Sequence, residues 1–254
     1  MASIYVSDNP QALARAAAEF ICSLARDTIR HSGRCALAFS GGSTPKRTYD
    51  FMRHVKDQPD WSRMYIFWSD ERCVPPDHPD SNYRLAHETL LAHVPVPPTH
   101  ILRMDCSPSP ELGAERYEAR LREWARINGE PAIDLVMLGL GRDGHTASLF
   151  PGTAALDEHE RWVVANWVDQ VEAWRMTLTY PALTEGGHIL FLVQGRDKAP
   201  VVKAVLEEGR PDLPASAVST HSMRPVWYLD AAAAEDLDEA FLRKHQGNTL
   251  SYGG

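Results

Sequence analysis

The sequence predicts an α/β fold: a mainly parallel sheet with helices on both faces and a more strand-rich C-terminal half. Three observations carry this. Short, largely apolar runs such as Cys35–Phe39, 64–69 and 134–138 suit strands buried on both faces. Longer segments bounded by helix start and stop residues alternate with them, which is the rhythm of crossover connections. The 254 residues, 44% hydrophobic and 24% charged, suffice for one large unit spanning 1–254 with its own core.

Taken in order, Asp8 and Asn9 before Pro10 supply a cap and a proline at the first helical position, and Gly33 supplies the stop, so 10–30 is read as helix. Cys35–Phe39 is read as a strand and Pro45 opens a helix toward His54. The pattern continues with a strand at 64–69, a helix at 81–94, a strand at 101–104, and a helix at 111–127 ended by Gly129, then a strand at 134–138. After Gly152, strands are expected at 161–167, 175–180 and 188–193, and helices at 198–208 and 231–245. Residues 95–110 are proline-rich and read as a surface loop, and 246–254 as a loose tail. No internal repeat or interdomain linker interrupts the chain.

Composition excludes several classes. With 26 Lys and Arg against 34 Asp and Glu the net charge is −8, so nucleic acid is not an expected partner. The opening Met1-Ala-Ser-Ile-Tyr-Val-Ser-Asp8 lacks a basic then apolar leader, and no run approaches the ~18 apolar residues of a membrane span. No membrane partner is therefore expected, and the expectation is a cytoplasmic protein. Cys22, Cys35, Cys73 and Cys106 show no paired spacing, so they are expected to be reduced thiols rather than a disulfide framework or a zinc site.

Three loops at expected strand ends could carry chemistry. In Ser40-Gly41-Gly42-Ser43-Thr44-Pro45, two glycines allow close backbone approach, Ser43 and Thr44 add hydroxyl donors, and a helix N-terminus follows, which together suit a phosphate. A plain capped turn explains the same residues, and the Gly-Lys-[Ser/Thr] ending of a Walker A loop is absent. In Gly139-Leu-Gly141-Arg-Asp143-Gly144-His145, the first six residues match G-x-G-x-x-G, but Pro151 leaves no room for the long helix of a dinucleotide site. Asp143 and His145 then read as a carboxylate beside a catalytic imidazole. In Trp68-Ser-Asp70-Glu71-Arg72, the acids and Arg72 suit either surface ion pairs or an anion contact. His87, Glu88 and His93 lack zincin spacing, so no metal is expected.

In order and spacing these loops resemble the 6-phosphogluconolactonase family, part of a larger group with the glucosamine-6-phosphate isomerases/deaminases. The resemblance runs from about Val6 to about Leu242, and is most specific at Ser40 to Pro45, Trp68 to Arg72, and Gly139-Leu-Gly-Arg-Asp-Gly-His-Thr-Ala-Ser-Leu-Phe-Pro-Gly152. It implies a Rossmann-like sheet and hydrolysis of 6-phospho-D-glucono-1,5-lactone in the oxidative pentose phosphate pathway. The partner is then a small phosphorylated sugar lactone, and no metal or organic cofactor is required. It also implies phosphate contacts from Gly41, Gly42, Ser43 and Thr44, from Arg175 in Arg-Met-Thr-Leu-Thr-Tyr-Pro181, and from Lys198.

The mechanism expected is general-base attack of water by His145, with Asp143 orienting the imidazole or binding sugar hydroxyls, and Arg72 stabilising the oxyanion or contacting phosphate. The deaminases of the same group carry a relay Glu where this chain has Phe150, and a Tyr where it has Arg72, so the lactonase pattern fits at both positions. A deaminase/isomerase-like enzyme or a non-catalytic sugar-phosphate sensor remain the alternatives. A serine hydrolase is disfavoured because Pro45 stands where a G-x-S-x-G elbow needs glycine.

Overall fold

Strand β1 (Ser3–Ser7) leads into helix α1 (Pro10–Ser32), and that helix begins and ends on chemistry visible in the residues. The Asn9 side chain accepts from the N–H groups of Gln11 and Ala12 at 3.1 and 2.9 Å, Pro10 fills the first turn, and Gly33 closes the helix at φ 78°. Then come β2 (Cys35–Phe39), α2 (Ser43–Met52), β3 (Met64–Trp68), the short β4 (Asp70–Arg72) and α3 (Asn82–Thr89). Helix α4 (Pro110–Asn128) is capped by Ser109 and followed by β5 (Leu135–Leu138), β6 (Val163–Val168), β7 (Ala173–Leu178) and α5 (Tyr180–Thr184). The chain ends with β8 (His188–Val193), α6 (Ala199–Leu206), α7 (Pro214–His221), β9 (Pro225–Asp230) and α8 (Glu239–His245). The computed structural model describes residues 2–129, 131–222 and 225–246; the expected tail beyond Gln246 lies outside them.

Six strands in the order β1-β9-β8-β5-β2-β3 form one sheet in which every adjacent pair is parallel. Apart from edge strand β1, their residues are buried nearly throughout, as in the fully buried CALAF of β2, which is why they read as continuous apolar runs. Helices surround this sheet, α1 packing on α2, β2 and β9. A second, antiparallel sheet has the order β4-β7-β6. Ser69 joins the two: its N–H donates to the Phe39 carbonyl and its carbonyl accepts from Leu178 N–H, both at 2.8 Å. Strand β4 thereby leaves the end of β3 and immediately enters the second sheet.

The expected α/β class, its mainly parallel sheet and its strand-rich second half are observed. Four local expectations are corrected. Residues 101–104 make only an isolated bridge, Ile101 to Ile66, since the β3 edge is covered there by loop rather than by a full strand. The helix expected over 81–94 stops at Thr89 and continues only as a 3-10 turn at Leu91–His93. Of 231–245, only Glu239–His245 is α-helix; Asp238 caps it, accepting from Ala240 N–H at 2.7 Å, and so breaks the run. The cysteines are not all thiols: Cys73 and Cys106 form a disulfide, while Cys22 and Cys35 are buried and free. The pair is 33 residues apart and is brought together by the end of β4 meeting the loop before α4, which no local spacing reveals. No helix among the described residues is long and apolar enough to cross a membrane.

Packing between α4 and the second sheet yields a prediction whose sign opposes helix propensity. A Cβ on Gly113 would lie 2.4 Å from the Asp105 carbonyl, 2.8 Å from Cys106 Cα and 2.9 Å from Met176 Cε. Gly113→Ala should lose more than the ~1 kcal/mol that alanine gains inside a helix, because overpacking costs about 1–3 kcal/mol. A lower urea midpoint is expected; a raised midpoint would show that the loop yields.

Candidate active site

Strand β2 is flanked by β3 on one side and β5 on the other, and the chain goes from β2 to β3 in one direction and from β5 to β8 in the other. Loops leaving neighbouring carboxyl ends in opposite directions leave a crevice between them. A cleft of about 490 Å³ occupies that place, walled by residues 40–45 after β2, 139–141 after β5 and 192–195 at the end of β8. Asp70, Arg72, Asn82, His145 and Lys198 complete much of its wall. This is a size suited to a small metabolite.

One wall presents a helix N-terminus of the kind that suits an anion. Gly42 precedes α2 at φ 104°, and the helix has no side-chain N-cap, so the first-turn N–H groups of Ser43 and Thr44 have no capping side chain. The loop is held from behind by buried Tyr49, whose hydroxyl accepts from Ser40 N–H at 2.9 Å and donates to the Ser40 carbonyl at 2.7 Å. Glycine is required at position 41, where a Cβ would lie 1.8 Å from Asn82 Oδ1. Asn82 is only 1% exposed and is itself fixed by donating from Nδ2 to the Asp70 carbonyl at 2.9 Å.

The facing wall holds the imidazole. His145 Nδ1 and Asp143 Oδ1 are 2.6 Å apart, and the carboxylate makes Nδ1 the protonated nitrogen, leaving the Nε2 lone pair free. The ring stacks on buried Phe150, with centroids 3.9 Å apart and planes at 22°. Burial lowers the His145 pKa more than Asp143 and Asp70 raise it, with Lys198 lowering it further, which favours the neutral base. The tight turn behind the ring is closed by Gly141 N–H donating to the His145 carbonyl at 2.8 Å, and Gly144 adopts φ 79°.

Arg72 and Lys198 line the third side. In the register of β4 and β7, Arg72 stands opposite Arg175, and the Nε of each is buried with no hydrogen-bond partner. Arg72 Nη1 donates to the Asp80 carbonyl at 2.7 Å. Burial, then the neighbouring Arg72 charge, lowers the Arg175 pKa. Glu71, 4% exposed, faces away into the start of α3, accepting from the N–H groups of Arg72, Asn82 and Tyr83 at 2.7–2.8 Å. Burial raises its pKa in spite of these bonds. Asp70, 6% exposed, accepts from Ser148 Oγ at 2.7 Å. Lys198 ends a 3-10 turn ahead of α6, its pKa lowered mainly by burial.

The fold therefore gathers Gly41, Gly42, Ser43, Thr44, Arg72, His145 and Lys198 around one cleft. Asp143 stands behind His145, and Arg175 lies beside Arg72, outside the cleft wall. Sequence reading took Asp70 only as a charge beside Arg72 and assigned no role to Asn82, Tyr49 or Gln194. Their roles arise from contacts made across the fold. Among the described residues no group of three or more His, Cys, Asp or Glu is gathered as a metal site.

A Cβ on Gly141 would lie 2.0 Å from His145 Nδ1 and 2.4 Å from Asp143 Oδ1. Gly141→Ala should break the Asp143–His145 bond, seen as loss of the downfield imidazole N–H resonance in proton NMR while the amide spectrum stays folded. Retention of that resonance would show that the turn adjusts.

Comparisons with known proteins agree with one another. The model of the family described as glucosamine-6-phosphate isomerases/6-phosphogluconolactonase matches residues 8–227. The chain is 36% identical over 248 residues to a 6-phosphogluconolactonase of Rattus norvegicus, covering 95% of this chain and 96% of the relative. It is 35% identical over 242 residues to one of Nostoc sp., covering 92% and 98%. Among solved structures, a 6-phosphogluconolactonase from Trypanosoma cruzi superposes with a TM-score of 0.81 at 28% identity, covering 93% of this chain and 97% of that one.

Proposed function

This chain belongs to the glucosamine-6-phosphate isomerase/6-phosphogluconolactonase family, and on that premise we propose that it hydrolyses 6-phospho-D-glucono-1,5-lactone to 6-phosphogluconate, a step of the oxidative pentose phosphate pathway, with His145 as general base. The observation that carries the reading is the His145 imidazole, tautomerically fixed by Asp143 at 2.6 Å on the wall of a cleft whose opposite wall is the anion cradle.

The chemistry follows from that arrangement. Nε2 of neutral His145 takes a proton from water as the water oxygen bonds to C1, giving a tetrahedral oxyanion. Collapse breaks the bond between C1 and the ring oxygen, and the imidazolium returns its proton to that oxygen. Asp143 keeps the ring oriented and stabilises its transient charge. The oxyanion is assigned to backbone N–H groups of the 139–144 turn other than those of Gly141 and Gly144, which bond the His145 and Gly141 carbonyls.

The phosphate lies at the other end of the substrate and supplies binding energy for orientation, through Ser43, Thr44, Lys198 and Arg175. Because Arg72 and Arg175 are cross-strand neighbours, we assign Arg72 to the same anion rather than to the reacting carbon. The buried, unpartnered Nε of each suits a doubly charged ligand. Phe150 against the imidazole puts an apolar ring beside the base, which suits lactone hydrolysis better than proton shuttling between two sugar carbons.

The test is acceleration of lactone hydrolysis above its spontaneous rate, with EDTA present. His145→Ala should lose about 10² to 10⁴-fold in kcat and stay folded; wild-type turnover in that variant would contradict the assignment. Lys198→Ala should raise KM and leave kcat nearly unchanged. Since burial lowers the His145 pKa and the neutral ring is the active form, kcat/KM should rise with pH through an acid limb below the usual imidazole value of about 6.5. A limb well above that value would assign the titration to another group.

A further inference from the structure

Hydrogen-bond direction at the mouth of the cradle identifies two residues that the reading above leaves unused. Arg47, on the exposed side of α2, donates from Nη1 to Gln194 Oε1 at 3.0 Å. A guanidinium has donors only, so the oxygen end of the Gln194 amide must face Arg47 and the NH₂ end must face away. That end meets Ser43, with Nε2 donating to Oγ at 3.3 Å. Ser43 Oγ is thereby used as an acceptor, and its own proton is directed elsewhere. Gln194 and Ser43 both lie on the cleft wall, where α2 also presents its N–H groups.

We infer that Gln194 and Arg47 are positioning residues of the phosphate cradle, orienting the Ser43 hydroxyl as a donor so that the site accepts a fully deprotonated oxyanion. The inference rests on the proposed phosphate site and adds its polarity. A free serine hydroxyl can turn to give or to take a hydrogen bond. The relay from Arg47 through Gln194 fills one of the two lone pairs of Ser43 Oγ and turns its proton away from Gln194, so the hydroxyl is biased to donate, which suits a phosphate dianion, whose oxygens only accept. Arg47 acts through the amide rather than by touching the ligand: it is not part of the cleft wall.

The test compares Gln194→Leu, Arg47→Met, the double variant and Gln194→Glu, each on 6-phosphogluconolactone and on unphosphorylated glucono-1,5-lactone. Gln194→Leu should raise KM for the phosphorylated lactone by about fivefold, the loss typical of a neutral hydrogen bond, with kcat within about twofold. Arg47→Met should give a smaller rise, and the double variant should be no worse than Gln194→Leu, since a relay is lost once. Gln194→Glu should be the most damaging, because its carboxylate accepts the Ser43 proton and repels the ligand. On the unphosphorylated lactone the variants should lose clearly less in kcat/KM than on the phosphorylated one. Equal losses on both lactones, or strictly additive losses in the double variant, would overturn the relay. If wild type fails to accelerate the phosphorylated lactone at all, the parent reading fails instead. The relay is then judged by NMR titration with inorganic phosphate: weaker binding in Gln194→Leu supports it, and unchanged binding overturns it.

Discussion

The site depends on one constraint of connectivity, the divergence of the chain at the adjacent strands β2 and β5. Parallel neighbours whose onward connections run in opposite directions cannot close over their own carboxyl ends. What remains is a crevice floored by backbone, with a helix start on one side and the Gly139–Gly144 turn on the other. The α2 start and the imidazole therefore line one cleft because of the sheet order β8-β5-β2-β3.

The second sheet supplies what the first cannot. A helix N-terminus carries only about half a charge, and the protein as a whole is at −8, so anion binding requires local cations. Ser69 passes the chain from β3 directly into β4, and the β4–β7 register then sets Arg72 beside Arg175. Burial and the neighbouring Arg72 charge both disfavour the charged form of Arg175. Buried Asp70 eases this, as does Glu71 from the other side of β4. In the proposed site a bound dianion would relieve it further.

Much of this was legible in the residues. The α1 boundaries and the end of α4 follow from Asn9, Pro10, Gly33 and Gly129, because caps act locally. The three loops were legible for the same reason: glycine turns at strand ends are short-range signals. What was not legible depends on partners far along the chain. Edge strand β1 and strand β9 pair with each other from opposite ends of the sequence, and three-residue β4 has no periodicity to read. The Cys73–Cys106 disulfide spans 33 residues. At the site, His145, Asp143 and the cradle announced themselves by type and spacing. Asn82, Tyr49 and Gln194 are ordinary polar residues until the fold sets them against Gly41, Ser40 and Ser43.

The central claim is that the cradle binds phosphate while the imidazole addresses the carbonyl carbon at the far end of the same molecule. The most direct measurement is a crystal structure with 6-phosphogluconate bound. The account predicts phosphate oxygens about 3 Å from the Ser43 and Thr44 N–H groups, with the C1 carboxylate beside His145 Nε2. A phosphate bound at His145 with C1 in the cradle, or a ligand seated outside this cleft, would contradict it.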